Sequence, residues 1–231
     1  LREALRSFMA SCKRKLPEFE LRSADRIAAL RVELSNRKLD GFLVPLSDEH
    51  QSEFPPKRAQ RLAWLTGFTG SAGLAVILHD KAALFVDGRY TLQVQKQADP
   101  EIYEFCRISD DPPSCWIEKH VRAGSRIGYD PWLHTKSAFM PYEEKTRAAK
   151  IELIQVETNP LDEVWDHQPP APLAPVYPHP VDIAGRAASE KISETAAVVR
   201  GHGANAAVLT APDSIAWLLN IRGGDLPNTP V

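Results

Sequence analysis

Six prolines, at positions 169, 170, 172, 175, 178 and 180, crowd the stretch from Gln168 to Pro180. Proline fixes φ and has no backbone N–H, so neither a helix nor a central strand continues through such a run, and an extended polyproline II connection is expected. The 231-residue chain is therefore read as two bodies. Residues 1–159 form a first domain, 160–180 a connecting segment, and 181–231 the start of a second domain.

The two sides of this connection resemble one another. Ile27 over Ile192 brings Arg26 over Lys191, Leu30 over Thr195 and Asp40–Val44 over Asn205–Leu209 at one constant separation. After 12 extra residues in the first copy, Leu62-Ala63-Trp64-Leu65 meets Ile215-Ala216-Trp217-Leu218, and Phe68-Thr69-Gly70 falls over Ile221-Arg222-Gly223. The pattern predicts a duplicated helix-strand-helix unit. In the first copy it continues into strands at Leu74–Leu78 and Ala82–Val86 joined by a turn at His79-Asp80-Lys81. The second copy stops before that hairpin and Leu1 is not methionine, so the chain is expected to be a fragment.

Further elements follow from period and punctuation. Ser23 is expected to cap a helix carrying Ile27, Leu30 and Leu34. Phe42–Pro45 reads as a strand and Arg58–Leu65 as a helix. Downstream come a helix from Tyr90 to Ala98, a strand near Ile102–Cys106, a helix opened by Ser114, a strand at Arg126–Tyr129, a Thr135-capped helix to about Lys150, and a strand at Glu152–Val156. Strands alternating with helices indicate an α/β fold.

Charged residues make up 25% with mixed signs and a net charge of −2, which argues against a nucleic-acid surface. No apolar run reaches the roughly 18 residues of a membrane span, and the basic stretch Arg2–Lys15 lacks a signal peptide's apolar core. Cys12, Cys106 and Cys115 are unpatterned, which favours a reducing cytoplasm over a disulfide framework.

Three polar landmarks each end a segment that reads as buried: Ser47–Phe54, the loop Gly67–Gly73, and the turn Asp87-Gly88-Arg89-Tyr90. They are expected on one rim of the α/β layer. His50 stands among Asp48, Glu49 and Glu53, but one imidazole in a loop ending at Pro55-Pro56 makes no metal site, and no HExxH or HxH occurs elsewhere. The glycine loop lacks a phosphate loop's lysine and precedes a strand, so its glycines are read as supplying positive φ or close backbone contact, with Phe68 held outward at the tip. Gly88 makes the turn, Asp87 is a cap or an ion-pair partner, and Arg89 is either a ligand-binding group or a structural arginine. Ser71 sits in GSAG, not GxSxG, and Cys115 has no catalytic context, so no catalytic residue is assigned.

With SDEHQSEF, WLTGFTGSAG, VDGRY, GYDPWLH, NPLDEVW (Asn159–Trp165) and IAWLLNIRGGD (Ile215–Asp225) in this order, the chain resembles aminopeptidase P. These are the Xaa-Pro aminopeptidases of the prolidase and creatinase superfamily, here in their long three-domain form. The resemblance covers nearly everything from Arg26 to Pro230. It implies a creatinase-like N-terminal domain, a mixed sheet flanked by helices, followed by the truncated start of a related second domain, with the catalytic pita-bread domain absent. It further implies a metallopeptidase that releases the N-terminal residue from peptides with proline in second position. Its two divalent ions, usually manganese, are bound by two Asp, one His and two Glu of the catalytic domain, none of which maps onto this sequence; they lower the pKa of a bridging water. By the same resemblance Arg89 reaches the bound peptide, with Asp87 and Tyr90 as supports; the loop Gly67–Gly73 lies near a partner subunit's active site, with Phe68 a candidate contact there; and His50 matches the polar stretch without an assigned role. A cytoplasmic homodimer is implied, in which this region shapes the substrate entrance and the dimer interface and is inactive alone. The alternative is a non-enzymatic, peptide- or protein-binding relative of the same superfamily.

Overall fold

A computed structural model describes residues 22–226 and 229–230; the basic stretch Arg2–Lys15 and Cys12 lie outside them. The first body is built in the order α1 (Ser23–Asn36), β1 (Gly41–Pro45), α2 (Arg61–Thr66), β2 (Gly73–Leu78), β3 (Ala82–Val86), α3 (Thr91–Gln97), β4 (Glu104–Arg107), α4 (Pro113–His120), β5 (Arg126–Tyr129), α5 (Lys136–Ala148), β6 (Glu152–Gln155) and α6 (Pro160–Val164). Its six strands form one sheet ordered β4-β3-β2-β1-β5-β6. β2 runs antiparallel to both neighbours, whereas β3/β4, β1/β5 and β5/β6 are parallel, so the sheet is mixed.

Alternation along the strands sorts their side chains onto two cores. Phe42, Val44, Ala75, Ile77, Leu84 and Val86 face Ile27, Leu30 and Leu34 of α1, Leu62 and Leu65 of α2, and Leu161 of α6. Leu43, Val76, Ala83 and Phe85 face the other way, onto Trp116 and Ile117 of α4 and Phe139 and Tyr142 of α5. Helices cover both faces, which is why the central strands are apolar at nearly every position. One expected cap changes and another forms as read. Ser23 is not a side-chain cap; its hydroxyl donates instead to the Leu65 carbonyl at 2.8 Å, tying α1 to α2. Thr135 does cap α5, accepting from the Ala138 N–H.

The second body contains α7 (Val181–Ala184), α8 (Ala188–Gly201), α9 (Pro212–Leu219) and a two-strand ladder of β7 (Tyr177–Pro178) with β8 (Ile221–Arg222). Within the extended proline run, Tyr177 and Pro178 pair with β8 at a sheet edge, where a missing N–H is tolerated. The two bodies repeat specific contacts. The Arg26 guanidinium lies 5.3 Å from the Trp64 ring centroid and donates to the Trp64 carbonyl; the Lys191 ammonium lies 4.6 Å from the Trp217 ring and donates to the Trp217 carbonyl. Gly67 and Asn220, which match in the repeat, both end their helices in left-handed conformation. The expected strand at Asn205–Leu209 is absent. These residues are exposed, with Val208 at 87%, and unlike β1 they have no strand on either side among the described residues to satisfy their backbone groups.

His134, just beyond β5, packs its ring against Tyr129, Phe139 and Tyr142. Burial lowers its pKa to about 4, against the pull of Asp130. Between roughly pH 6.5 and 4 the unfolded chain therefore binds a proton that the folded chain refuses, so stability is lost as pH falls through this window. The loss attributable to His134 should reach roughly 2–4 kcal/mol at the acid end. Urea unfolding across this range should show a flatter pH dependence for His134→Phe than for the parent chain.

Candidate functional site

The sheet register gathers the three polar landmarks. Pro45 pairs with Leu74 and Gly73 with Val86, so the end of β1, the start of β2 and the end of β3 share one edge. Segment 47–54, loop 67–73 and turn 87–90 therefore emerge side by side.

At the turn, Asp87 Oδ1 accepts both the Arg89 backbone N–H and its Nε–H, each at 2.9 Å. Hydrogen bonding to Arg89 holds the Asp87 carboxyl below its ordinary pKa, and the same bond raises that of Arg89. The Arg89 side chain remains 67% exposed with its guanidinium 5.3 Å from the Tyr90 ring. The Tyr90 hydroxyl lies 2.6 Å from Ser71 Oγ, and this contact lowers the Tyr90 pKa. The turn is thereby fastened to the glycine loop. The result is a cation oriented by its carboxylate and an aromatic ring, yet open to solvent, an arrangement suited to a polar or anionic group of a ligand.

The structure corrects the placement of Phe68. Its ring is 1% exposed and packs edge-on against Tyr90 with centroids 5.7 Å apart. Gly67 turns the chain at φ +80°, and the Phe68 N–H donates to Thr66 Oγ1 at 3.1 Å, which sends the ring inward. A Cβ on Gly70 would stand 2.2 Å from Phe68 Cζ, so glycine there is what admits the ring.

His50 projects away from the core, its side chain 65% exposed, with Nε2 4.0 Å from Glu49 Oε1. The residue that shapes this stretch is Asp48, buried, whose Oδ1 accepts the backbone N–H groups of His50 and Ser52 at 3.0 and 2.9 Å. No three His, Cys, Asp or Glu side chains converge as metal ligands among the described residues.

Beside the rim lies a cleft of about 610 Å³ lined by Leu46, Glu53, Phe54-Pro55-Pro56, Lys57, Gln60, Thr69–Ser71, Pro169, Pro170, Pro172 and Asp225. Its proline wall is pinned. Arg61 forms two hydrogen bonds to Asp162 at 2.7 and 2.8 Å, Gln168 Nε2 donates to Asp162 Oδ1 at 2.7 Å, and Arg58 donates to the Pro169 carbonyl at 3.3 Å. Trp165 stacks on Trp64 at 5.1 Å and closes the same corner. Burial alone would lower the Arg61 pKa, but the hydrogen bonds and charge of Asp162, with the charges of Asp130 and Glu49, together raise it. The sequence reading singled out neither Asp162 nor the cleft, although Asp162 lies within the quoted NPLDEVW motif.

Comparison with known proteins agrees with the mixed α/β fold. The Creatinase/Prolidase N-terminal domain profile matches residues 26–164, and a second profile of the same description matches residues 167–231. The chain belongs to the creatinase/prolidase N-terminal domain family. Xaa-Pro aminopeptidase 2 of Rattus norvegicus is 33% identical over 219 residues, 94% of this chain and 32% of the rat protein. Aminopeptidase P1 of Arabidopsis thaliana is 37% identical over 194 residues, 84% of this chain and 30% of the plant protein. The chain thus spans about a third of the length of these curated relatives. Among solved structures, the X-prolyl aminopeptidase of Caenorhabditis elegans, described as a cytosolic enzyme with a di-nuclear active site, superposes with a TM-score of 0.80 at 29% identity. That match covers 91% of this chain and 36% of the nematode chain. No helix among the described residues is long and apolar enough to cross a membrane.

Proposed function

We propose that this chain is the N-terminal region of a cytosolic, metal-dependent Xaa-Pro aminopeptidase and that it shapes the substrate entrance and a homodimer interface. The peptides cleaved carry proline in second position. Residues 1–159 serve as the first domain and 181–231 begin the second, while the ions, manganese in this reading, are held by residues outside this chain. The chain's own part is binding and orientation. The reading is supported by names shared among the relatives and, above all, by the geometry of Arg89: a guanidinium held by Asp87 and Tyr90 yet left open to solvent at the rim.

In the complete enzyme, Arg89→Ala should lower kcat/KM for Xaa-Pro peptides by about tenfold, the loss of one charge-assisted hydrogen bond. Metal content should be unchanged. Steady-state kinetics with metal analysis checks this, and unaltered kinetics would remove Arg89 from the site.

A further inference from the structure

We propose that the cleft beside the rim receives the residues that follow the second-position proline of a peptide substrate, held as an extended, proline-rich strand. This assignment rests on the Xaa-Pro reading of the rim and adds to it a second, length-dependent subsite.

Continuity carries the argument first. Gly70 and Ser71 line the end of the cleft, and Ser71 Oγ is 2.6 Å from the Tyr90 hydroxyl, whose ring lies under the Arg89 guanidinium. A peptide touched by Arg89 therefore reaches the cleft directly across Ser71. Wall chemistry comes second. Pro55 and the prolines at 169, 170 and 172 offer rigid apolar surface, Phe54, 41% exposed, adds an aromatic face, and Lys57 and Gln60 stand in the same lining with Glu53 and Asp225. Aromatic and proline-walled grooves suit a polyproline II segment, which loses little entropy on binding and needs few backbone partners.

The walls are also fixed before any ligand arrives. Gln60 Nε2 donates to the Pro55 carbonyl at 2.7 Å, closing the near wall on itself. On the far side, Gln168 bonds the Arg58 carbonyl at 3.1 Å, and the Ala174 N–H donates to Asp225 Oδ1 at 2.6 Å. A preformed cleft of about 610 Å³ is within the usual size of a ligand site. Continuity with the rim selects the substrate's own downstream residues as the occupant.

The test uses the complete enzyme and two peptides, Ala-Pro-Ala and the heptapeptide Ala-Pro-Ala-Pro-Pro-Ala-Ala. Phe54→Ala should lower the ratio of kcat/KM for the heptapeptide to that for the tripeptide by about tenfold, the scale of one lost aromatic anchor. Arg89→Ala should lower both values together. An unchanged ratio in Phe54→Ala would overturn the cleft assignment and leave the rim reading standing. If Arg89→Ala affected neither peptide, the rim reading itself would fall, and the subsite with it.

Discussion

Phe68→Ala is expected to lower the unfolding free energy of the sheet domain by about 3–5 kcal/mol, the cost of removing a fully buried aromatic and leaving a cavity. The ring is 1% exposed and belongs to the core made by α1, α2 and β1–β3, yet it is also the wall against which Tyr90 stands. The neighbouring chain is poorly placed to collapse into the gap. Gly70 and Gly73 have no side chains to offer, and Tyr90 is held by Ser71. Urea unfolding of the parent and variant chains measures the loss; a difference below about 1 kcal/mol would mean that the ring is not packed as described.

Asp162→Ala should be nearly as damaging, at roughly 2–4 kcal/mol, because it strands a charge. The Arg61 side chain is 10% exposed and Asp162 24%, so truncation leaves a guanidinium largely cut off from water with its two best acceptors gone. The same change removes one of the two bonds of Gln168, and with it the Arg61–Asp162–Gln168 link from α2 toward the proline wall, leaving its bond to the Arg58 carbonyl. The double variant Arg61→Met/Asp162→Leu should recover much of the loss, since apolar pairs of similar volume often match or exceed buried ion pairs. Unfolding midpoints of the single and double variants decide the matter. A double variant as unstable as Asp162→Ala would show that packing, not the stranded charge, dominates.

These contacts mark where sequence reasoning stops. The sheet, its covering helices and the single rim were legible because two short, almost wholly apolar runs, 74–78 and 82–86, are joined by a turn at 79–81 short enough to pair them as a hairpin. The register of that hairpin brings Asp87 beside Gly73. The Asp87–Arg89 pair was legible for a similar reason, since its partners are two residues apart. Phe68 was read as outward because glycine-rich loops are usually surface loops; its inward direction depends on Tyr90, far along the chain, and on the left-handed turn at Gly67. Arg61 and Asp162 are 101 residues apart, and no local period signals such a pair. The repeat identified Arg26–Trp64 and Lys191–Trp217 as equivalent positions, but it also suggested a strand at 205–209 that forms no ladder, because a strand is defined by its neighbours as much as by its own residues.

The central claim is that this chain orients peptide for chemistry performed by groups it does not contain. The most direct measurement is release of free amino acid from Ala-Pro-Ala by the purified 231-residue chain supplied with Mn²⁺, together with its equilibrium metal content. The account predicts no turnover and no ion retained through dialysis. Sustained alanine release, tracking a stoichiometric complement of retained manganese, would contradict it.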